Sequence, residues 1–221
     1  TVQHFDVVVF DVDGTLLDTS EGVLASVKYT IKEHNLPEVD EEVLKTFIGP
    51  PIQNSFSKVY GLKGDILQEL ATTFRNQYKD VDLLKAVPYE GIYSVFEALI
   101  KEGKKVAIAT YKRQDYATKI MHHFGFDKYT DIIYGADHEN KLKKRDIIEL
   151  ALKDCGVKDF SNAIMIGDSD NDAIGAQEIG TQFIGVTYGF GFSKKEDICK
   201  YKNVGSADST QELVSLLVGD K

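Results

Sequence analysis

Apolar positions along this chain of 221 residues follow two rhythms. Residues 5–10 (FDVVVF) form a short valine-rich run, the pattern of a strand covered on both faces, as in a parallel sheet. Runs at 105–110 (KVAIAT), 131–134, 162–166 (NAIMI) and 183–186 read as further strands. Between them the apolar residues return at helical spacing. Ile92, Val95, Phe96, Leu99 and Ile100 mark one helix, closed by Gly103, and others are expected near 114–124, 144–154 and 172–179. A last helix near 210–218 follows the capping-box pattern Ser209-Thr210-Gln211-Glu212. Strands separated by helices predict βαβ units and a parallel sheet. Residues 16–85 break that rhythm and show no strand pattern. Leu24, Val27 and Ile31 mark a helix over about 20–35 that Pro37 breaks, and Asp40 caps a short helix with Val43, Leu44 and Phe47. Pro51 opens a helix with Ile52, Phe56 and Val59, and Ile66, Leu67, Leu70, Phe74 and Tyr78 line a longer one. The expected class is α/β, with a parallel-sheet core over 1–17 and 86–221 and a helical block over 18–85 inserted after the first strand.

Composition narrows the function classes. With 35 acidic against 26 basic residues, the net charge of -9 argues against a nucleic-acid polymer as partner. Lys141, Lys143, Lys144 and Arg145 form the one dense basic run. Two distant cysteines, Cys155 and Cys199, make neither a disulfide framework nor a zinc pattern and suit a reducing, cytoplasmic setting. No apolar run reaches the roughly 18–20 residues that span a bilayer, and the N-terminus lacks a signal-peptide pattern, so no membrane partner is expected.

Candidate chemistry sits where the strands end. Asp11 and Asp13 are two residues apart, which in an extended chain puts both carboxylates on one side. Their mutual repulsion calls for a positive partner, most simply a metal ion. Gly14 permits a sharp turn, and Thr15 adds a hydroxyl. The KVAIAT run ends on Thr110, with Tyr111 and Lys112 next, and NAIMI ends on Gly167-Asp168-Ser169-Asp170-Asn171-Asp172. Alone, each has a plain reading as a solvated turn, a cap or a helix start. In open α/β sheets, however, ligands bind outside the carboxyl ends of the strands. Carboxylates from two strands, a hydroxyl and a lysine converging there make a site for a hard cation and a phosphate.

These segments, in this order, resemble the motifs of haloacid dehalogenase-superfamily phosphatases across essentially the whole chain. The DxDGT motif is Asp11-Val12-Asp13-Gly14-Thr15, the strand-closing Ser/Thr is Thr110, and GDxxxD is Gly167 to Asp172. Lys141, Lys143 and Lys144 compete for the lysine before a helix, and Lys144 is preferred because Asp146-Ile147-Ile148 continues as a helix. The resemblance implies a Rossmann-like core with a helical-bundle cap, the Asp18-Thr19 pair serving as its hinge. It implies Asp11 as nucleophile, Asp13 as proton shuttle, and a Mg²⁺ site in which the Asp11 and Asp168 carboxylates and the Asp13 backbone carbonyl hold the ion and Asp172 orients metal-bound water. Thr110, Lys144 and N–H groups near Gly14 and Thr15 would hold phosphoryl oxygens. Tyr111, next to the motif threonine, either narrows the site or packs beside the strand end. Lys112 either meets a second substrate anion or is solvated. Gly49, in Gly49-Pro50-Pro51, resembles the cap segment that phosphoglycolate phosphatase-like proteins point at the site, and no cap residue reads as a carboxylate or base reader. The expected partner is a small phosphate ester, and the expected assembly a monomer or homodimer. Rival readings are a 5′-nucleotidase or pyrophosphatase and, more remotely, a sugar-phosphate mutase; from other classes, a receiver-like phosphoacceptor or a non-catalytic binding protein.

Overall fold

A computed structural model describes residues 1–219; positions 220 and 221, which close the expected core span, lie outside the described residues. β1 (Val7–Phe10) is buried throughout. Val8 and Phe10 enter the apolar cluster on one face of the sheet, Val7 and Val9 the cluster on the other, so no polar alternation appears. The chain then forms β2 (Leu17–Asp18) and the helices α1 (Ser20–Glu33), α2 (Glu41–Lys45), α3 (Ile52–Tyr60) and α4 (Asp65–Gln77), and ends the block in a π-helical turn over Tyr78–Asp82. α1 packs on α2 and α4, and α3 on α4, burying Val27, Ile31, Leu44, Phe56, Leu70 and Phe74. Asp40 accepts the Val43 N–H at 3.0 Å and so caps α2.

β3 (Val87–Pro88) brings the chain back and pairs antiparallel with β2, Leu17 against Pro88 and Asp18 against Val87. This corrects the expectation that residues 16–85 hold no strand. Two residues are too few to show a period, and their partner is far along the chain. The remainder runs α5 (Ile92–Lys101), β4 (Lys105–Arg113), α6 (Gln114–His123), β5 (Ile133–Ala136), α7 (Lys144–Asp154), β6 (Ala163–Gly167), α8 (Asp170–Glu178), β7 (Gln182–Val186), α9 (Lys195–Ile198), β8 (Gly205–Ala207) and α10 (Thr210–Val218). α9 and β8 carry no readable apolar pattern. β4 continues three residues beyond Thr110, with a register shift between Ala109 and Arg113.

Among the described residues six strands form one parallel sheet in the order β5-β4-β1-β6-β7-β8. Phe10 lies beside Ile108 on one side and Ile166 on the other. Asp11 and Asp168 therefore leave adjacent strands at the same edge, with Thr110 beside them in β4. The chain builds outward from β1 through β4 and β5, then crosses to β6, so the order reverses beside β1, where a crevice forms.

Candidate active site

The Asp11 N–H donates to the Ile166 carbonyl at 3.0 Å, holding the end of β1 on β6. α7 packs on β4 and α8, and its first residue, Lys144, is carried under the sheet edge. Lys144 Nζ lies 2.8 Å from Asp11 Oδ1 and 2.9 Å from Asp172 Oδ1. Asp172, in the first turn of α8, also accepts the Ser169 N–H and hydroxyl on Oδ2 at 3.3 and 3.2 Å. Lys141 and Lys143 are exposed, and Lys141 pairs with Glu139 at 2.6 Å. Of the three lysines, only Lys144 meets the carboxylates.

Asp11, Asp168 and Asp172 are buried, and one carboxylate oxygen from each lies within 4.8 Å of the others. Burial first, then the charge of Asp172, pushes the Asp11 carboxyl well above the usual carboxylate range, against the pull of Lys144. The same two causes push Asp168 to about 7. Burial alone would lower the Lys144 ammonium, but Asp11 and Asp172 hold it above its ordinary value. One lysine against three carboxylates leaves negative charge in excess, and oxygen donors so placed fit a hard divalent cation. The surroundings fit it too. Asp168 Oδ2 accepts the N–H groups of Phe190 and Gly191 at 2.9 and 3.4 Å. Gly14, at φ +81°, and Gly189 have no room for a side chain, since a Cβ on either would collide with the Asp168 carboxylate.

Asp13 is held apart from that cluster. Its Oδ1 accepts the Thr19 hydroxyl at 2.5 Å and lies 3.2 Å from Lys112 Nζ. Both contacts fall on Oδ1. Lys112 is buried, not solvated: its Nζ donates to the Tyr78 hydroxyl at 2.6 Å and sits 4.5 Å from that ring's centre. Burial acts to lower its pKa, but Asp13 and Tyr78 carry it above the usual lysine value. Thr110 Oγ1 accepts the Lys112 N–H at 3.0 Å, which turns its own proton elsewhere. Tyr111 supports Lys144: its hydroxyl accepts the Lys144 N–H at 2.7 Å, and its ring lies 5.4 Å from Nζ. The Gly14 and Thr15 N–H groups differ from expectation. They donate within the turn, to Leu17 and Val12 carbonyls at 2.9 and 3.2 Å. Thr15 is buried, and its Oγ1 has no hydrogen-bond partner among the described residues.

A cavity of about 70 Å³ opens beside Asp13, between the helical block and the sheet edge. Gly49, Pro50 and Pro51 line it from the turn before α3, Tyr111 and Lys112 from β4, and Arg75 from α4. Sequence reasoning missed Arg75, Tyr78, the Thr19 contact and the Gly189-Phe190-Gly191 loop. A Gly-x-Gly just after an apolar strand was a readable signal for the loop. An arginine beside Phe74 on the apolar face of α4 was a weak one for Arg75.

Known proteins resemble this chain in sequence and fold. A family model described as "Haloacid dehalogenase-like hydrolase" matches residues 8–186. The chain is 34% identical over 185 residues to a 5′-nucleotidase of Pseudomonas aeruginosa, covering 83% of each. It is 30% identical over 186 residues to pyrophosphatase PpaX of Halalkalibacterium halodurans, covering 84% of this chain and 85% of the relative. The solved structure of a predicted phosphatase from Clostridium acetobutylicum superposes with a TM-score of 0.90 at 32% identity, over 96% of this chain and 98% of that one. With the family model spanning most of the chain and the acidic strand ends assembled at one edge, the chain belongs to the haloacid dehalogenase-like hydrolase family and is a phosphatase of that superfamily.

Proposed function

We propose that this chain is a Mg²⁺-dependent phosphomonoesterase that acts on a small phosphorylated metabolite, in the manner of phosphoglycolate phosphatases, through an aspartyl-phosphate on Asp11. One observation carries the reading: Asp11 and Asp13, two residues apart, occupy different environments. Asp11 lies among carboxylates and Lys144, whereas Asp13 faces the cavity with Thr19 and Lys112. That division suits a nucleophile and a proton shuttle.

Asp11, Asp168 and Asp172 would hold the cation, with the Asp13 backbone carbonyl as a further ligand. When bound, the cation neutralises their charge and that of the phosphoryl oxygens. Lys144 favours the ionised form of Asp11, as the bound cation would, and with the Thr110 hydroxyl stabilises charge on the transferred group. Asp11 attacks phosphorus and the ester oxygen leaves. Asp13 protonates that oxygen, then takes a proton from the water that cleaves the aspartyl-phosphate. Residues 18–85 serve as the cap that excludes water and selects the substrate, with β2 and β3 as its two crossings. Free cysteines suit a cytoplasmic setting, and among the described residues no helix is long and apolar enough to cross a membrane.

The test is steady-state hydrolysis of an aryl phosphate with Mg²⁺, with excess chelator and by Asp11→Asn. Turnover is expected only in the first case. Undiminished turnover by Asp11→Asn would refute the aspartyl-phosphate route, and a single stoichiometric phosphorylation without turnover would indicate a phosphoacceptor instead.

A further inference from the structure

Arg75 is the buried cation that the chemistry above leaves unused. It sits on the apolar face of α4 at 7% exposure and lines the cavity that Asp13 borders. Its Nη1 donates to the His138 carbonyl at 2.9 Å, and its own backbone carbonyl accepts the Tyr116 hydroxyl at 3.2 Å. The two carboxylates that act on it electrostatically are engaged elsewhere. Asp115 holds Arg113 at 2.6 and 2.7 Å, and Asp137 accepts the Lys141 and Leu142 N–H groups at 2.9 to 3.0 Å. Among the described residues Arg75 has no ion pair. Burial and the neighbouring charge of Arg113 push its guanidinium below its ordinary value, the mark of a cation short of counter-charge.

A guanidinium has five N–H donors in a planar fork that matches a carboxylate or phosphate edge. Lys112, on the same cavity wall, is committed to Asp13 and Tyr78, and Arg113 to Asp115. Among the described residues, Arg75 is thus the cavity cation without a carboxylate partner. The space beside it is small: about 70 Å³, against roughly 150 Å³ for a cavity that takes benzene. One carboxylate or phosphate group fits beside Arg75, whereas a nucleobase would have to extend out of the cavity.

Resting on the phosphatase reading, we propose that Arg75 binds a second anionic group, a carboxylate or phosphate, carried a few bonds from the phosphoryl group that Asp11 attacks. The preferred substrate is then a compact phosphate compound with two anionic ends rather than a nucleoside monophosphate. The competing explanation is that Arg75 only ties α4 to the His138 loop.

The experiment compares kcat/KM of the Mg²⁺-loaded protein for phosphoglycolate, pyrophosphate, glycerol phosphate and AMP. The wild type is expected to favour phosphoglycolate or pyrophosphate over both of the others, and the favoured one identifies the anion as carboxylate or phosphate. Because a charge-assisted bidentate contact is involved, Arg75→Gln should cut that preference ratio by about 10- to 100-fold, chiefly through KM, and Arg75→Lys by less. Arg75→Gln keeps N–H donors for His138, and circular dichroism and melting confirm its fold; if it fails to fold, Arg75→Lys carries the test, and an unchanged ratio there counts against the proposal. Equal losses on all four substrates, or a wild type that prefers AMP or glycerol phosphate, would overturn it. Absence of turnover on every substrate would instead refute the phosphatase reading.

Discussion

The sheet edge and the cavity beside it are both charged, but they are built differently. At the edge, Lys144 lies within 2.9 Å of two carboxylates, and a third completes a tight acidic cluster. Charge is concentrated there. In the cavity wall, Lys112 is matched with Asp13 and Arg113 with Asp115, whereas Arg75 has no ion pair among the described residues. A cluster of like charges suits the unchanging step, attack on phosphorus. A matched wall with one spare cation suits discrimination among substrates, since it rewards only a ligand that brings the missing charge.

The contrast is broken most forcefully at Lys144. Removing the one cation in the cluster should lower kcat on the order of 10²- to 10³-fold, as loss of a preorganised electrostatic donor does. In cation-free protein Lys144→Ala should also cost about 3 kcal/mol by urea melts, because buried carboxylates lose their partner. Added Mg²⁺ should restore much of that stability; a variant as stable as wild type without cation would mean that the cluster is not electrostatically coupled.

Gly14→Ala comes next. A Cβ there meets the Asp168 carboxylate at a backbone conformation unfavourable to alanine. Calorimetric Mg²⁺ affinity should fall by about 10-fold, in line with losses on disturbing the shell around a metal site, while Arg75-dependent selectivity persists. Loss of selectivity with affinity intact would reverse the division between the two regions.

The smallest effect is in pH. Asp168 is pushed to about 7 when folded, against about 3.9 for an unfolded aspartate. A raised acid contributes stability that is fully present below the unfolded value and is lost as pH rises through the folded one. Cation-free protein should therefore lose stability from this group as pH rises between roughly 4 and 7. Cation binding expels that proton, so the gap in melting temperature between Mg²⁺-loaded and cation-free protein should widen from pH 5 to 7 and then level. A gap independent of pH would show that Asp168 does not carry the proton.

Much of the edge was legible because its parts are local. An apolar strand stopping on Asp11-Val12-Asp13-Gly14-Thr15, and another stopping on Gly167 and Asp168, place their carboxylates by backbone geometry alone. Choosing among Lys141, Lys143 and Lys144 needed the start of α7 and its packing on β4 and α8, since only Lys144 lies inside that helix. The cavity was illegible for a related reason. Arg75, Tyr78, Lys112 and Asp13 come from separate segments, and only the folding of the helical block onto the sheet brings them together. The reading of Lys112 as a solvated lysine failed there, because sequence does not show that Asp13 and Tyr78 await it.

The sequence by itself determined the alternation of strands and helices, the helical insertion and the acidic strand ends, because periodicity and turn chemistry act over a few residues. Tertiary structure decided the pairing of β2 with β3, the separate settings of Asp11 and Asp13, and the lone guanidinium in the cavity wall. Those depend on burial and on charges distant in sequence, and neither exists until the chain has packed.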